Sequence, residues 1–348
     1  MFNEAFKYYK ARNPVPSLQN VIDFSKHNEN GLDSRLKDIS DSIVRNDSFP
    51  GVIDSSSWRV FEVVDRPGLL IISNPFTKHA QRYWIARSLC HYPKQPNRTN
   101  FTDCDIKRYS THHDSNHQEI VFDWWSISQS IQEPRERSKL LKSLRWTTLG
   151  YHYDWTNKIY DESARSEFPD DLANMCRHFA TALGFGQFQP QAAIVNYYPL
   201  GSTLAGHTDH SERNLEAPLF SFSFGQPAVF LIGGPSKDER PDALLLRSGD
   251  VIVMTEASRL CYHAVPRVFS DNSELVQQLW VEAKQQGGQS LGEPEGQTTL
   301  GNSAISTAVW NDCRQTGSPQ SHHFVDYISN SRININIRQV LNEGENHL

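Results

Sequence analysis

Residues Arg332–Arg338 read Arg-Ile-Asn-Ile-Asn-Ile-Arg, an alternation without a break. Successive side chains on a strand point to opposite faces. Arg332, Asn334, Asn336 and Arg338 therefore share one face, and Ile333, Ile335 and Ile337 share the other. The isoleucine face needs an apolar layer to cover it. The opposite face is either wet or lines a cavity. Guanidinium groups turned into a cavity are costly unless an anion pairs with them, and arginine's planar fork can hold a carboxylate with two parallel hydrogen bonds. This strand points to a sheet with one apolar face and one anion-accepting face.

A second stretch, Asn196–His210 (NYYPLGSTLAGHTDH), carries the pair His207 and Asp209. On an extended segment, residues two apart project to the same side, so an imidazole and a carboxylate can reach one point. His263, in the short strand CYHAV, is the candidate for a third ligand. Two histidines and one carboxylate leave one face of an octahedral ion open, as in non-haem Fe(II) oxygenases. Zinc with a water in its fourth position would use similar ligands, so these three residues alone do not choose the metal. Combined with the two-arginine strand, the open face favours a dicarboxylate that also chelates iron, and 2-oxoglutarate is such a molecule.

The rest of the chain supplies the scaffold. Phe2, Phe6 and Tyr9 stand at helical spacing in a mildly basic N-terminus, which reads as a docking helix rather than a mitochondrial presequence. A polar connector follows to about residue 55. Gly68–Ser73 is a short apolar strand, and a helix starts near Thr77, a good N-cap, burying Ala80, Tyr83, Trp84 and Leu89. Pro169–Leu183 has one apolar stripe, proline in the first turn and Gly184 at the stop, so it is a structural helix. Short strands then recur: Ala192–Tyr198, Leu219–Phe224, Ala228–Ile232, Ala243–Leu246, Asp250–Met254, Cys261–Val265 and Arg332–Leu341. Such repetition suggests a sandwich or barrel. The Gly/Gln/Ser-rich stretch 270–326 reads as a mostly disordered insertion.

Charge and cysteine content narrow the classes. A net charge of −6 argues against a broadly basic nucleic-acid-binding surface but leaves room for a local patch. Five cysteines without paired spacing suggest reduced thiols rather than a disulfide frame or zinc cage. There is no apolar run of about 18 residues, so no membrane span is expected. Arg135, Arg137, Lys139, Lys142 and Arg145 crowd into one segment that runs into Trp146, Tyr151, His152, Tyr153 and Trp155. Two readings stand side by side: a solvated helix face, and a grip for phosphates beside flat rings that stack a base. His112, His113 and His117 lack a carboxylate or cysteine register and read as a solvated loop.

The stretches FQPQAAIVNYYPLGSTLAGHTDH, LLLRSGDVIVMTEASRLCYHAVPRV and RININIRQV resemble the AlkB family of Fe(II)- and 2-oxoglutarate-dependent dioxygenases. With LRWTTLGYHYDW and VIDFS, the resemblance is to its animal members and covers roughly residues 55–270 and 325–341. It implies an α+β fold: a double-stranded β-helix (jelly-roll) core with flanking helices and an N-terminal helical extension. The expected division is 1–55, 56–190 and a core at 191–348. It implies Fe(II) on His207, Asp209 and His263, and 2-oxoglutarate on Asn196, Tyr198, Arg332, Asn334 and Arg338. Trp146 and Tyr151, His152, Tyr153 and Asp154 match the nucleotide-recognition region, with Trp125 nearby. Ser211 stands where the bacterial prototype has an acidic residue. The implied activity is oxidative demethylation of N-methyladenine or methylcytosine in tRNA or unpaired DNA, yielding succinate, CO2 and formaldehyde. A histone lysine demethylase with the same chemistry is the alternative. A monomer in the nucleus or mitochondrion, or else the cytoplasm, is expected.

Overall fold

A computed structural model describes residues 1–26, 31–110, 122–270, 279–280, 304–313 and 319–348. The histidines at 112, 113 and 117 lie outside these residues. The strands, in chain order, are β1 Leu36–Asp38, β2 Val60–Val63, β3 Leu69–Ile72, β4 Arg98–Thr99, β5 Trp146–Asp154, β6 Ile159–Arg165 and β7 Ala192–Pro199. They continue with β8 Leu204–His207, β9 Leu219–Gly225, β10 Ala228–Ile232, β11 Asp242–Leu246, β12 Val251–Met254, β13 His263–Val268 and β14 Ser331–Arg338.

A ten-stranded sheet runs β1-β2-β3-β12-β9-β14-β7-β5-β4, with β6 paired to β5, and a four-stranded sheet runs β11-β10-β13-β8. From β7 onward the chain passes back and forth between the two sheets, and each pairing within them is antiparallel. The large sheet crosses the expected boundary at 190/191, because β3 pairs with β12 and β5 pairs with β7. The strands at 36–72 and 146–165 are thus part of the core sheet.

β14 occupies the middle of the large sheet, paired to β7 on one side and β9 on the other. Its three isoleucines are fully buried in a cluster with Trp84, Leu172, Met175 and Phe179. These come from the helices Lys78–Cys90 and Asp170–Ala182. Burying each isoleucine stabilises the fold by roughly 1.5–3 kcal/mol, which pins the register and turns the arginine face toward the small sheet. Thr77 caps the first helix by accepting from the Ala80 N–H. Pro169 sits at the N-cap of the second, and Asp171 in its first turn pairs with Arg87 at 2.7 Å, tying the two helices together.

The expectation of a structureless 270–326 does not hold for its described parts. Ala304–Asp312 and Pro319–Ile328 are helices packed on the core. The Trp310 ring lies 4.0 Å from that of His79, whose Nε2–H donates to the Trp310 carbonyl, and Phe324 stacks on Trp125 at 5.3 Å. Composition averaged over the stretch hid the apolar residues that dock. We expect Trp310→Ala to cost about 3 kcal/mol, read as a lower urea midpoint; an unchanged midpoint would mean this helix does not dock in solution.

The N-terminal helix Phe2–Lys10 docks as expected, with Phe2 and Tyr9 buried. Phe2 fills a slot made by two glycines: a Cβ at Gly206 would stand 2.7 Å from its ring, and one at Gly233 would stand 2.9 Å away. Gly206 immediately precedes His207, so this helix buttresses the strand that carries a candidate ligand. Among the described residues, no helix is long and apolar enough to cross a membrane. All five cysteines are unbridged.

Candidate metal and co-substrate site

A cavity of about 550 Å³ opens between the sheets. At one end lie His207, Asp209 and His263, whose ligand atoms fall within 4.8 Å of one another. His207 ends β8 and faces His263 across the β8–β13 pair. Asp209 lies just beyond the strand, so the two-apart spacing is completed by irregular chain rather than within the strand. Nε2 of His207 is 3.8 Å from the Asp209 carboxylate, and Nε2 of His263 is 3.9 Å from it.

Backbone carbonyls fix both imidazole tautomers. Nδ1 of His207 contacts the Ala205 carbonyl at 2.9 Å, and Nδ1 of His263 contacts the Cys261 carbonyl at 3.1 Å. A carbonyl oxygen can only accept, so each Nδ1 carries the proton and each Nε2 presents its lone pair to the common point. Burial pulls the His263 pKa down to about 4, which keeps its ring neutral and able to ligate near pH 7. Burial alone would raise the Asp209 carboxyl. Arg338, then His263 and His207, overrule it and hold the group well below the usual carboxylate range. The donor set therefore fits a divalent cation: two neutral nitrogens and one ionised oxygen, with a side left open to the cavity.

The far end of the cavity is built by β7 and β14. Asn196 opposes Asn334, and Tyr198 opposes Arg332. Arg332 is 2% exposed, and among the described residues it has no carboxylate partner. It donates to Ser223 Oγ at 2.6 Å and to the Gln226 carbonyl at 3.3 Å, but its Nε has no hydrogen-bond partner, nor does the Tyr198 hydroxyl beside it. Burial lowers the Arg332 pKa to about 10. A buried guanidinium with an unused N–H, next to an unused phenol, fits the distal carboxylate of a dicarboxylic acid.

The two arginines of β14 do not act as one clamp. Arg338 donates to the Asp209 carboxylate at 2.6 Å and contacts Glu212 at 3.2 Å, which raises its pKa against the effect of burial. It serves the metal end. Asn334 donates to Ser221 Oγ and to the Phe222 carbonyl and accepts from Asn336, so it braces the cavity wall.

Behind Asp209 lies a buried network that the sequence pattern did not single out. Glu212 receives Arg338 on one oxygen and Arg259, at 3.1 Å, on the other. Arg259 also donates to the Asp209 backbone carbonyl at 2.7 Å. Both arginines that hold Asp209 are thus anchored on Glu212, with Tyr160 donating a further hydrogen bond to it. The only cue in the chain was an acid three residues after Asp209. We expect Glu212→Gln to weaken binding of Mn(II) to the metal-free protein by about 10–100-fold, the range typical of partners behind a ligand, with Glu212→Asp partly restoring it. Titration followed by tryptophan fluorescence checks this, and equal affinity in all three proteins would refute it.

Of the expected base-recognition residues, Tyr153 lines the cavity, its hydroxyl 3.2 Å from Ser211 Oγ. Trp155, named among the flat rings of that segment though not among the positions the resemblance implied, lines it too and packs edge-on against Tyr153 at 4.8 Å. The others are engaged elsewhere. Trp125 is buried between Trp124, Phe324 and Tyr327. Tyr151 is buried under Arg165 and bonded to Glu162. His152 is buried against Thr148, and Asp154 accepts the N–H groups of Thr156 and Asn157 to close the β5–β6 turn. Trp146 is half-buried beside Trp155 and does not line the cavity.

A family model described as the 2OG-Fe(II) oxygenase superfamily matches residues 68–338. The chain is 34% identical over 362 residues to the nucleic acid dioxygenase ALKBH1 of Mus musculus, covering 99% of this chain and 85% of that one. It is 34% identical over 306 residues to the DNA N(6)-methyladenine demethylase ALKBH1A of Arabidopsis thaliana, covering 83% and 79%. To the tRNA demethylase abh1 of Schizosaccharomyces pombe it is 35% identical over 227 residues, covering 62% and 73%.

Proposed function

The chain belongs to the 2OG-Fe(II) oxygenase superfamily, in its AlkB branch, and from that premise we propose that it is an oxidative demethylase of nucleic acids. The substrates are N-methyladenine or methylcytosine in tRNA or in unpaired DNA. The observation that carries the reading is the pairing, in one cavity, of the open His207–Asp209–His263 triad with the carboxylate-accepting Arg332 and Tyr198. We read the two sheets as a double-stranded β-helix. The order β12-β9-β14-β7 against β11-β10-β13-β8, with the chain crossing back and forth, supports this.

Iron(II) with 2-oxoglutarate and O2 supplies the oxidising power that hydroxylates an N-methyl group, with succinate, CO2 and formaldehyde as products. The protein's share is to hold and orient. His207, Asp209 and His263 would bind the metal. Arg332 and Tyr198 would bind the far carboxylate of the co-substrate, which fixes its other end toward the triad. Tyr153 and Trp155 give flat surface at the cavity wall against which a base taken out of its stack can rest. The relatives described above are named for DNA, tRNA or nucleic acid, which sets aside the histone demethylase alternative.

The test is nucleoside mass spectrometry. Purified protein with Fe(II), 2-oxoglutarate and ascorbate is incubated with methylated tRNA or with methylated single-stranded DNA. Loss of a methylated nucleoside matched by succinate is expected. Succinate formation with a methylated histone peptide and none with nucleic acid would overturn the reading.

A further inference from the structure

We propose that Arg12, Arg145, Arg267 and Lys10 form a docking surface for the phosphate backbone of a nucleic-acid strand, outside the cavity that takes the base. The proposal rests on the nucleic-acid reading above and says where the rest of the strand runs.

Three separated segments meet here. The end of the N-terminal helix brings Lys10 and Arg12, the turn after β7 brings Leu200 and Gly201, and the end of β13 brings Pro266 and Arg267. Together they line a shallow cavity of about 350 Å³. The turn is a firm floor: the Leu200 N–H donates to Asn330 and the Gly201 N–H to Val268, each at 2.9 Å. Arg12 lies over this floor so closely that a Cβ on Gly201 would stand 3.0 Å from its guanidinium. Arg145 reaches the same turn from the start of β5, its Nη1 3.5 Å from Ser202 Oγ.

The charges are what distinguish this surface. No carboxylate lines the cavity, and among the described residues none of the four cations has an ion-pair partner. This is a local accumulation of positive charge in a chain whose net charge is −6. Two of the cations are steadied by rings, Lys10 over Phe6 at 5.6 Å and Arg267 over Phe269 at 5.7 Å. Like charges held close repel, and a chain of phosphates relieves that repulsion while releasing counterions.

A path connects the surface to the cavity. Trp155 lines the cavity and contacts Trp146 at 5.5 Å between ring centres, and Trp146 directly follows Arg145. Rings followed by cations are what a single strand needs, bases on the rings and phosphates on the cations. From His263 to Arg267 is four residues of β13, about 13 Å at 3.3 Å per residue. A base at the metal and a phosphate on this surface therefore belong to different nucleotides.

The test compares wild type with the double variant Arg12→Glu/Arg267→Glu, neither residue belonging to the metal or co-substrate site. Binding of a fluorescent single-stranded oligonucleotide is followed by anisotropy over a KCl series. The double variant should bind roughly tenfold more weakly or worse, and the slope of log affinity against log salt should fall by about 0.7 for each phosphate no longer neutralised. Its turnover of 2-oxoglutarate without nucleic acid should match wild type. Arg12→Gln/Arg267→Gln, milder on folding, should lie between the two. Wild-type slope in both variants overturns the docking surface and leaves the demethylase reading standing. Displacement by polyglutamate as readily as by unlabelled oligonucleotide makes it an acidic-peptide surface and overturns it too. Absence of oligonucleotide binding by wild type would remove both.

Discussion

His207→Ala should bind Mn(II) more than about 100-fold more weakly than wild type, beyond the range expected for partners behind a ligand, and should lose succinate formation with it. The geometry gives the reason. Three donor atoms within 4.8 Å are the whole protein contribution to the metal among the described residues, and removing one leaves a His/Asp pair that cannot define the open face. The variant should still fold, because His207 is partly exposed at the end of a short strand and, among the described residues, its ring hydrogen-bonds only the Ala205 carbonyl two residues earlier. Metal titration of the apo protein and thermal melting separate the two effects. Unchanged Mn(II) affinity would sink the metal assignment, whatever happened to turnover.

The second large effect is of opposite sign in two measurements. Arg332→Met should raise the KM for 2-oxoglutarate roughly 30-fold or more, since truncating one partner of a buried charge pair costs about 2–5 kcal/mol. Yet the co-substrate-free protein should melt no earlier than wild type. Arg332 is buried without a carboxylate partner among the described residues, and burial already pulls its pKa to about 10. An uncompensated buried charge is a burden that a well-packed apolar side chain does not carry. Ligand binding to the native state raises stability by mass action, about 2.7 kcal/mol at a hundred times Kd. Wild type should therefore gain in melting temperature when 2-oxoglutarate is added, and the variant should not at the same concentration. An equal gain in both would place the co-substrate's carboxylate elsewhere.

The parts that were legible in the chain are those whose meaning is local. Arg332–Arg338 alternates so strictly, with β-branched residues on one face, that strand, facing and burial all follow from it. The triad was accessible because His207 and Asp209 are two apart and His263 sits in a short apolar run. Base-recognition residues were not accessible in the same way. β5 changes register against β6 between Tyr151 and Tyr153, so the alternation that served β14 fails there. Tyr151 ends under Arg165 while Tyr153 reaches the cavity. Glu212 has no local cue beyond its place three residues after Asp209, and Arg259 has none. Their roles exist only once the 209–217 segment, the Glu256–Leu260 turn and β14 meet. The helix at Ala304–Asp312 was hidden by its polar neighbours, and only its packing on His79 and Tyr83 reveals its apolar side.

The central place of β14 also sets the order in which the molecule can be finished. Arg338 and the carboxylate it holds, Asp209, are 129 residues apart in sequence. Until β14 inserts, β7 and β9 have no partner between them. Pairing at such separation is slow to nucleate, because the entropy of closing a long loop is lost before any pairing energy returns. Because Arg332 and Arg338 arrive on the same strand, completion of the large sheet and completion of both ends of the site are one event.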